Sequence, residues 1–546
     1  MRLAHSAAPA TAPSLRAAFL ATFLAFFMAV AGNLRVWQTT VEQIGEANAG
    51  AVLTAVLALA LLLHIAMLLV CWKWVFKPVV VFLLILTALS SYAVDAWGVL
   101  FDEAMIRNIL ETDLREASEL LSWPLAWRVA WCGLLPSVLL CRVRLRFGSL
   151  HRELGLRVVL ILGHMVLLAG AWTLTGRELT LFAREHRSLR LMLSPSAALV
   201  ATRDLIAEVL HVPAGPLDVI APDARKKAPA DGAARRVVVL VVGETATASH
   251  FSLNGYERQT TPGLEERGVI NYPDVHSCGT STAVSVPCMF SARSRDAFSR
   301  SAADSEENLL DVLQRCGVQV RWRENNSGCK GVCDRVPVEW GYQLTDEPSL
   351  LSEDGVYDGA LLEGLPDLID QGSGDLLVVL HQLGSHGPAY AKRAPDDAKR
   401  FLPECSQADL QNCAQEEMIN AYDNTIVYTD MVLSQLIDLL EPVAADARVA
   451  MLYVSDHGES LGENGVYLHG YPCWLAPDEQ THVPMVLWLG PDSAQGLGLD
   501  MSLVEAGRHQ PLSHDNLFHT LLGLFDIVTE TYVQELDLLA PARVFK

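Results

Sequence analysis

The first third of the chain is dominated by long apolar runs that are close to the length needed to cross a bilayer. A transmembrane helix needs about 20 mostly apolar residues, and five runs before residue 175 come near that length. They lie at residues 14–31, 51–72, 75–94, 124–141 and 156–174. The pattern therefore predicts a transmembrane domain of five helices over residues 1–174.

After residue 235 the pattern changes to short apolar runs separated by stretches with helical periodicity. The runs at residues 237–242, 376–380 and 449–454 are rich in Val and Leu and do not alternate with polar residues. Such strands belong to mostly parallel sheets with helices on both faces. A long helix is predicted at residues 419–440, with Ile426, Val427 and Leu433 facing the core.

We therefore expect a membrane-anchored α/β protein whose second domain is a three-layer α/β/α unit over residues 236–546 with a mostly parallel central sheet. Residues 175–235 separate the two domains. The first part of this stretch mixes Leu with Arg, as interfacial helices do, and the rest has the Pro, Ala, Lys and Asp content of a linker.

Charged loops predict the orientation of the five spans, because Lys and Arg collect on the cytoplasmic side. The second and fourth loops are basic, and the first and third are acidic. The basic residues are Lys73, Lys77, Arg142, Arg144, Arg146, Arg152 and Arg157, and the acidic ones are Glu42, Glu46, Asp102, Glu103, Glu111 and Asp113. A cytoplasmic amino terminus and five crossings place the second domain outside.

The first run has an alternative interpretation as a signal peptide. Arg2 and Arg16 precede it, and it ends in the small residues Ala29-Val30-Ala31. Cleavage there would leave the orientation of the remaining chain unchanged.

Composition agrees with this organisation and excludes one class of partner. The 546 residues are 51% hydrophobic, and the mean hydropathy of +0.25 is high for a wholly soluble protein. The net charge is −22. Affinity for nucleic acid comes mainly from Lys and Arg on phosphates, so we expect no nucleic-acid partner.

Three of the predicted strands end in residues that bind metals. Glu244 follows the first strand, His386 lies shortly after the second in a Gly- and Pro-flanked turn, and Asp456 and His457 directly follow the third. The carboxyl ends of neighbouring strands in an open α/β sheet converge on one crevice. Carboxylate and imidazole ligands favour zinc. His469 could return to the same crevice, whereas His381 reads as a core histidine.

A segment rich in hydroxyl groups could supply a nucleophile to such a site. Residues 278–282 read Cys-Gly-Thr-Ser-Thr. A hydroxyl is a poor nucleophile at neutral pH unless a metal or a base activates it. Without the neighbouring metal ligands, the same residues would be interpreted as a loop or a helix cap.

The cysteines are consistent with an oxidising compartment for the second domain. Three of the eleven lie before residue 174, and the other eight follow it. Local disulfides are predicted for Cys278 with Cys288, Cys329 with Cys333, and Cys405 with Cys413. The alternative for Cys329 and Cys333 is half of a zinc site, but no second pair accompanies them. The pairing of Cys316 and Cys473 stays open.

Several segments taken together resemble the phosphoethanolamine transferases that modify lipid A, including the mobile colistin-resistance enzymes. They are Gly243-Glu244-Thr245, residues 277–282 and 285–289, Gly384-Ser385-His386-Gly387-Pro388, and residues 455–463. These motifs occur in order through the outer domain and accompany a five-span anchor. The resemblance covers nearly the whole chain and implies an alkaline-phosphatase-like fold.

The resemblance also implies roles for individual residues. Thr282 matches the nucleophile, and Glu244, Thr282, Asp456 and His457 match the ligands of one zinc ion. His386 and His469 match histidines that hold the transferred phosphate or a second zinc ion, and Asn326 and Lys330 match substrate-contacting residues. Asn108, Thr112 and Glu116 match polar residues near the ethanolamine headgroup.

By this resemblance, the enzyme is a monomer of the bacterial inner membrane with its catalytic domain in the periplasm. It transfers phosphoethanolamine from phosphatidylethanolamine to lipid A through a phosphoethanolamine-threonine intermediate, which confers resistance to polymyxins. Alternatives left open are transfer to a lipopolysaccharide core sugar or another glycan, hydrolysis of the same group, and a membrane-anchored sensor with a structural zinc ion.

Overall fold

The computed structural model describes residues 14–44, 49–186, 188–211, 215–228, 234–353, 355–407 and 409–543. The chain divides into two compact units. The first comprises the described residues up to Asp102 together with Leu121–Arg203, and the second comprises Glu103–Leu120 and the chain from Asp204 onward.

Twenty-two α-helices are assigned within the described residues. In chain order they are α1 (Ala17–Ala31), α2 (Leu34–Ile44), α3 (Ala49–Leu69), α4 (Phe76–Trp97), α5 (Glu103–Glu111), α6 (Leu114–Glu119), α7 (Trp123–Arg128), α8 (Leu135–Arg142), α9 (Leu150–Glu185), α10 (Leu189–Met192), α11 (Ser196–His211), α12 (Pro262–Glu266), α13 (Thr282–Met289), α14 (Arg300–Ala303), α15 (Leu309–Arg315), α16 (Gly341–Leu344), α17 (Leu365–Asp370), α18 (Gln415–Leu440), α19 (Asp478–Thr481), α20 (Ser493–Gly496), α21 (Met501–Gly507) and α22 (Asp515–Leu524).

The first unit contains the apolar helices that the hydropathy pattern predicts. Four segments are long and apolar enough to span a membrane: Gly50–Leu69, Phe76–Trp97, Trp123–Arg142 and Leu150–Thr173. The third joins α7 to α8 through a π-helical stretch, Val129–Leu134. Ala17–Ala31 and Leu34–Glu42 make a pair bent by 55°, which gives five spans if the pair counts as one.

A seven-stranded sheet forms the centre of the second unit. Its strands in chain order are β1 (Arg236–Gly243), β2 (Ile270–Tyr272), β3 (Gln319–Glu324), β4 (Val338–Trp340), β5 (Leu376–His381), β6 (Arg448–Ser455) and β7 (Met485–Leu489). Their spatial order is β2-β7-β6-β1-β5-β3-β4. The pairs from β6 to β4 are parallel, and β7 is antiparallel to β6 and to β2. The predicted mostly parallel sheet is confirmed.

Both faces of this sheet are buried, as its uninterrupted Val and Leu runs predict. Val238, Leu240 and Val242 of β1 belong to one hydrophobic cluster. The alternate residues Val237, Val239 and Val241 belong to a second cluster on the other face, together with much of α18. That helix begins four residues before its predicted start, and Ile426, Val427 and Leu433 are fully buried.

The segment Glu103–Leu120 lies within the predicted membrane domain in sequence but belongs to the sheet-containing unit in the structure. Hydropathy does not reveal this, because the grouping depends on contacts with distant residues. The Arg107 guanidinium pairs with the Glu208 carboxylate at 2.6 Å, and α5 packs against α13. Helices α5 and α6 therefore belong to the same unit as the seven-stranded sheet.

Candidate active site

The site lies where β1, β5 and β6 end side by side. Gly243 of β1 pairs with Ser455 of β6, and Val242 pairs with His381 of β5. Glu244 and Asp456 each follow their strand by one residue, so parallel pairing in register brings them to the same edge of the sheet. The predicted convergence of strand ends occurs here.

Glu244, Asp456 and His457 form a compact cluster of metal-ligand atoms. One ligand atom from each lies within 4.8 Å of the others, and all three residues are almost fully buried. The His457 Nε2 atom is 3.3 Å from a Glu244 oxygen and 3.5 Å from Asp456 Oδ2. The other ring nitrogen, Nδ1, donates to the Gly458 carbonyl oxygen at 2.9 Å, so Nε2 is the ring atom that faces the carboxylates.

The cluster contains polar atoms that the protein itself does not satisfy. Asp456 Oδ2 and His457 Nε2 are buried and have no hydrogen-bond partner among the described residues. Such an arrangement costs about 1–3 kcal/mol for each unsatisfied group. Two carboxylates and one imidazole suit a divalent cation of the zinc type. These residues therefore fit the predicted metal.

The electrostatics of the cluster also favour a bound cation. Burial, together with the Glu244 carboxylate, raises the pKa of Asp456 to about 7. Burial opposes the charge of His457, but Asp456 and Glu244 outweigh it and raise its pKa to about 10. Burial also opposes the charge of Glu244, yet the adjacent His457 imidazole holds the pKa of Glu244 well below the ordinary value. A divalent cation would replace the proton that these groups otherwise share.

Thr282 lies directly beside the cluster at the first turn of α13. Its hydroxyl donates to the two Glu244 carboxylate oxygens at 3.1 and 3.3 Å. A disulfide between Cys278 and Cys288 closes the loop onto this helix, and the Gly279 N–H donates to Ser285 Oγ at 3.0 Å. The hydroxyl is therefore held at the metal-ligand cluster and at a helix amino terminus, where negative charge is favoured.

The predicted histidines lie beside the cluster. The His469 ring centroid is 4.5 Å from that of His457 and 5.3 Å from that of His386. His386 Nδ1 is buried without a hydrogen-bond partner among the described residues, and burial holds the pKa of this imidazole well below its usual value. The site thus presents a neutral imidazole beside the metal ligands.

Asn326 belongs to the cluster, and Lys330 lies further along the same loop. The Asn326 amide donates to Glu244 Oε2 at 2.5 Å and to the Gln382 carbonyl oxygen at 3.0 Å. The Lys330 amine contacts Ser327 Oγ at 3.0 Å and the Glu111 carbonyl oxygen at 3.5 Å. Lys330 therefore connects this loop to the end of α5.

Of the three predicted headgroup residues, Glu116 comes nearest to the histidines. Its carboxylate is 3.9 Å from His386 Nε2, and one of its oxygens is buried without a hydrogen-bond partner among the described residues. Burial, with Asp113, raises the pKa of Glu116. The Thr112 hydroxyl donates to the Asn108 carbonyl oxygen at 2.7 Å, a contact local to α5. The roles of Asn108 and Thr112 stay predictions.

All three disulfides expected from the sequence form in the structure: Cys278–Cys288, Cys329–Cys333 and Cys405–Cys413. Cys316 packs at the edge of one hydrophobic cluster, and Cys473 Sγ lies 3.7 Å from the Cys278 carbonyl oxygen.

Three side chains around the histidines are not among the residues predicted from the sequence. Glu459 is fully buried and 3.3 Å from His469 Nδ1. It lies three residues after Asp456, so the motif contained a signal for it. Arg393 and Glu119 form a buried ion pair next to His386. No spacing or motif links these two residues, because 274 positions separate them.

Comparison with known proteins identifies relatives along nearly the full chain. A sulfatase family model matches residues 236–527, and a model described as phosphoethanolamine transferase EptA/EptB matches residues 57–209. The chain is 36% identical over 484 residues to phosphoethanolamine transferase EptA of Escherichia coli strain K12, covering 88% of each. It is 39% identical over 493 residues to phosphatidylethanolamine transferase Mcr-1 from Escherichia coli, covering 88% of this chain and 90% of the relative.

A solved structure extends the similarity to the whole architecture. The integral membrane lipooligosaccharide phosphoethanolamine transferase A of Neisseria meningitidis superposes with a TM-score of 0.94 at 34% identity. The match covers 97% of this chain and 100% of that one.

Proposed function

This chain belongs to the family of lipid A phosphoethanolamine transferases, and we propose that it transfers phosphoethanolamine from phosphatidylethanolamine to lipid A through an ester on Thr282. One observation carries the covalent mechanism. The Thr282 hydroxyl is 3.1 Å from Glu244 Oε2, next to two buried ligand atoms that have no hydrogen-bond partner in the described chain.

In the first half-reaction, the Thr282 oxygen attacks the phosphorus of the donor lipid. The hydroxyl donates a hydrogen bond to Glu244, which orients the oxygen for attack, and the hydroxyl loses its proton as the oxygen becomes nucleophilic. The phosphorus–oxygen bond to the diacylglycerol breaks, and the released diacylglycerol oxygen takes up a proton. A covalent nucleophile of this kind divides one difficult displacement into two easier ones.

Glu244, Asp456 and His457 would hold zinc, with Thr282 as the fourth protein ligand. When bound there, zinc supplies positive charge that lowers the pKa of a neighbouring hydroxyl and offsets charge on phosphoryl oxygens. Metal analysis of the loaded protein would show whether it binds one or two zinc ions. His386 and His469 are the candidate ligands of a second ion.

In the second half-reaction, a phosphate oxygen of lipid A attacks the same phosphorus and Thr282 is released. In this proposal His386 and His469 donate hydrogen bonds to phosphoryl oxygens, with Lys330 and Asn326 contributing from residues 326–330. Donors fixed before the reaction stabilise developing charge more effectively than water does, because they do not reorganise. Glu116, a buried carboxylate beside His386, suits the ammonium group of ethanolamine.

The compartment we propose is the periplasmic side of the bacterial inner membrane. The apolar helices, the basic second and fourth loops and three disulfides beyond the last span support it. Both substrates are lipids, so an anchored enzyme searches a surface rather than a volume. The added amine offsets phosphate charge, so lipid A should bind cationic polymyxins less tightly.

The decisive experiment is a Thr282→Ala substitution in the full-length protein, with Thr282→Ser as the matched control that retains a hydroxyl. We expect Thr282→Ala to stop diacylglycerol release and lipid A modification while thermal unfolding is unchanged. Mass spectrometry of the wild-type protein after incubation with donor alone should find phosphoethanolamine on Thr282. An adduct on another residue would refute the mechanism, and modification of a core sugar alone would refute lipid A as acceptor.

A further inference from the structure

The buried ion pair between Arg393 and Glu119 joins two parts of the site that are far apart in sequence. The Arg393 guanidinium pairs through one terminal nitrogen with the Glu119 carboxylate at the end of α6, and the side chains are only 2% and 4% exposed. Through Nε, the same group donates to the His386 carbonyl oxygen at 2.8 Å. One planar group therefore holds α6 and the His386 loop together.

The role of this ion pair is better explained by the positions that it fixes than by a contribution to folding stability. Replacing a buried ion pair with apolar residues of similar volume is often neutral or stabilising, so the pair by itself adds little to folding. What Arg provides, and Lys does not, is a rigid fork whose donors point in fixed directions to two acceptors at once. A second ion pair joins Arg107 of α5 to Glu208 of α11, and its side chains are more exposed, at 11% and 20%.

The position of Glu119 makes the pair relevant to the neighbouring carboxylate. Glu116 precedes it by three residues, and residues three apart lie on the same face of a helix. Each of the two acids has one buried carboxylate oxygen without a hydrogen-bond partner among the described residues. The Arg393 guanidinium pairs with Glu119, whereas Glu116 faces His386 Nε2 at 3.9 Å, so Glu116 is the acid better able to take up a cation.

We propose that Arg393 is a positioning residue that fixes Glu116 of α6 relative to His386, and so sets the distance between the binding points for the donor's ammonium and phosphate groups. This inference rests on the proposed function. The two groups are joined by a two-carbon chain in ethanolamine phosphate, so an error of about 1 Å in the separation of their binding points would weaken donor binding.

The test uses the full-length protein in mixed micelles of detergent, phosphatidylethanolamine and saturating lipid A, with diacylglycerol release measured against donor concentration. Glu119→Gln releases α6 but keeps the Arg393 contact to His386. We expect the KM for the donor to rise about tenfold while kcat stays within about twofold, because ground-state positioning of the headgroup is lost. Arg393→Lys disturbs both contacts and should raise KM and lower kcat.

Two further variants complete the experiment. Arg258→Lys is the control, because Arg258 pairs at 2.9 Å with the fully buried Asp423, and the other hydrogen-bond partners of this pair, Asn420, His250 and Tyr256, are not residues of the site. The kinetics of this variant should match wild type. Arg393→Met combined with Glu119→Met leaves no unpaired buried charge, which makes it the better-folded substitute if the single variants unfold, and it should raise KM as well.

The outcomes separate the inference from the function on which it rests. Wild-type KM in Glu119→Gln or in the Met double variant, with the wild-type enzyme active, would overturn the role of Arg393 alone. A fall in kcat at unchanged KM in Glu119→Gln would overturn it too. If wild-type protein releases no diacylglycerol, the proposed function itself fails and the inference fails with it.

Discussion

Two neighbouring pairs of strands end in buried acids and histidines, but only one pair forms a candidate metal site. At β1 and β6, Glu244, Asp456 and His457 point ligand atoms at one another and leave two of them unsatisfied. At β3 and β5, Glu324 and His381 are equally buried, but the His381 Nδ1–H donates to Glu324 Oε2 at 2.9 Å. The Trp322 indole N–H donates to Glu324 Oε2 at 2.8 Å, and the Asn326 backbone N–H donates to Glu324 Oε1 at 2.7 Å, so both carboxylate oxygens accept hydrogen bonds.

The difference teaches that burial and residue type do not distinguish a functional cluster from a structural one. Both clusters occupy the carboxyl ends of parallel strands in register. What separates them is whether the protein itself satisfies every polar atom. We call a cluster closed when every polar atom in it is hydrogen-bonded within the protein, and open when buried ligand atoms are left unsatisfied. A closed cluster should contribute mainly to folding, and an open cluster to chemistry.

The largest effect should come from neutralising one member of the open cluster. Asp456→Asn or Glu244→Gln should lower the rate of transfer by about 10³-fold or more, because charge stabilisation and nucleophile activation are lost together. The metal-free variants should unfold at or above the wild-type temperature, since repulsion between the two carboxylates is relieved. Rates come from diacylglycerol release and stability from calorimetry. An active Asp456→Asn enzyme would break the comparison.

The closed cluster should respond in the opposite sense. Glu324→Gln removes the acidic partner of a fully buried histidine and should destabilise the protein by about 3 kcal/mol. Denaturant unfolding of the full-length protein measures this loss. Per active molecule, the transfer rate should fall much less than in Asp456→Asn. If Glu324→Gln were as stable as wild type and inactive, Glu324 would belong to the catalytic group instead.

Zinc should act on the open cluster alone. Addition of zinc at 100 times its dissociation constant should stabilise the chelator-treated wild-type protein by about 2.7 kcal/mol. Asp456→Asn should show little of this gain, and Glu324→Gln should retain it. Thermal unfolding with and without zinc, alongside metal analysis, provides the measurement. Equal stabilisation of Asp456→Asn and wild type would place the metal elsewhere.

The smallest effect concerns His514, whose two ring nitrogens are both hydrogen-bonded and connect the backbone at Cys278 to the backbone at Ser455. Its Nδ1 accepts the Cys278 N–H at 3.1 Å, and its other nitrogen donates to the Ser455 carbonyl oxygen at 3.0 Å. Burial lowers the pKa of His514 to about 3. The unfolded chain binds a proton near pH 6.5, but the folded protein does not until about pH 3, so stability falls as pH drops through this range.

At pH 5 this loss amounts to about 2 kcal/mol relative to pH 8. The variant His514→Gln loses the histidine's hydrogen bonds and should therefore be less stable than wild type at pH 8. Because glutamine does not titrate, the variant should lose less of its stability on acidification. Thermal unfolding of both proteins between pH 8 and pH 5 makes the comparison. Parallel pH profiles for the two proteins would show that His514 is not the group responsible.

Most of the architecture could be predicted because it depends on local patterns. Apolar runs of about 20 residues predict spans whatever their neighbours, and the strand of residues 449–454 is recognised from its own Val and Leu content. The π-helical stretch within Trp123–Arg142 and the assignment of Glu103–Leu120 to the second unit could not be predicted in this way. Both depend on packing against residues that are distant in sequence.

The sequence by itself determined the membrane helices, the parallel sheet and the ligand types of the site, since hydrophobic periodicity and residue chemistry are properties of short segments. It also contained the family motifs that name Thr282, Glu244, Asp456 and His457. Only the tertiary structure decided that Glu324 and His381 close on each other while Asp456 and His457 stay open, and that Arg393 reaches Glu119. The physical reason is that hydrogen-bond satisfaction is a property of atoms in three dimensions, and the deciding partners, Glu324 with His381 and Arg393 with Glu119, are 57 and 274 positions apart.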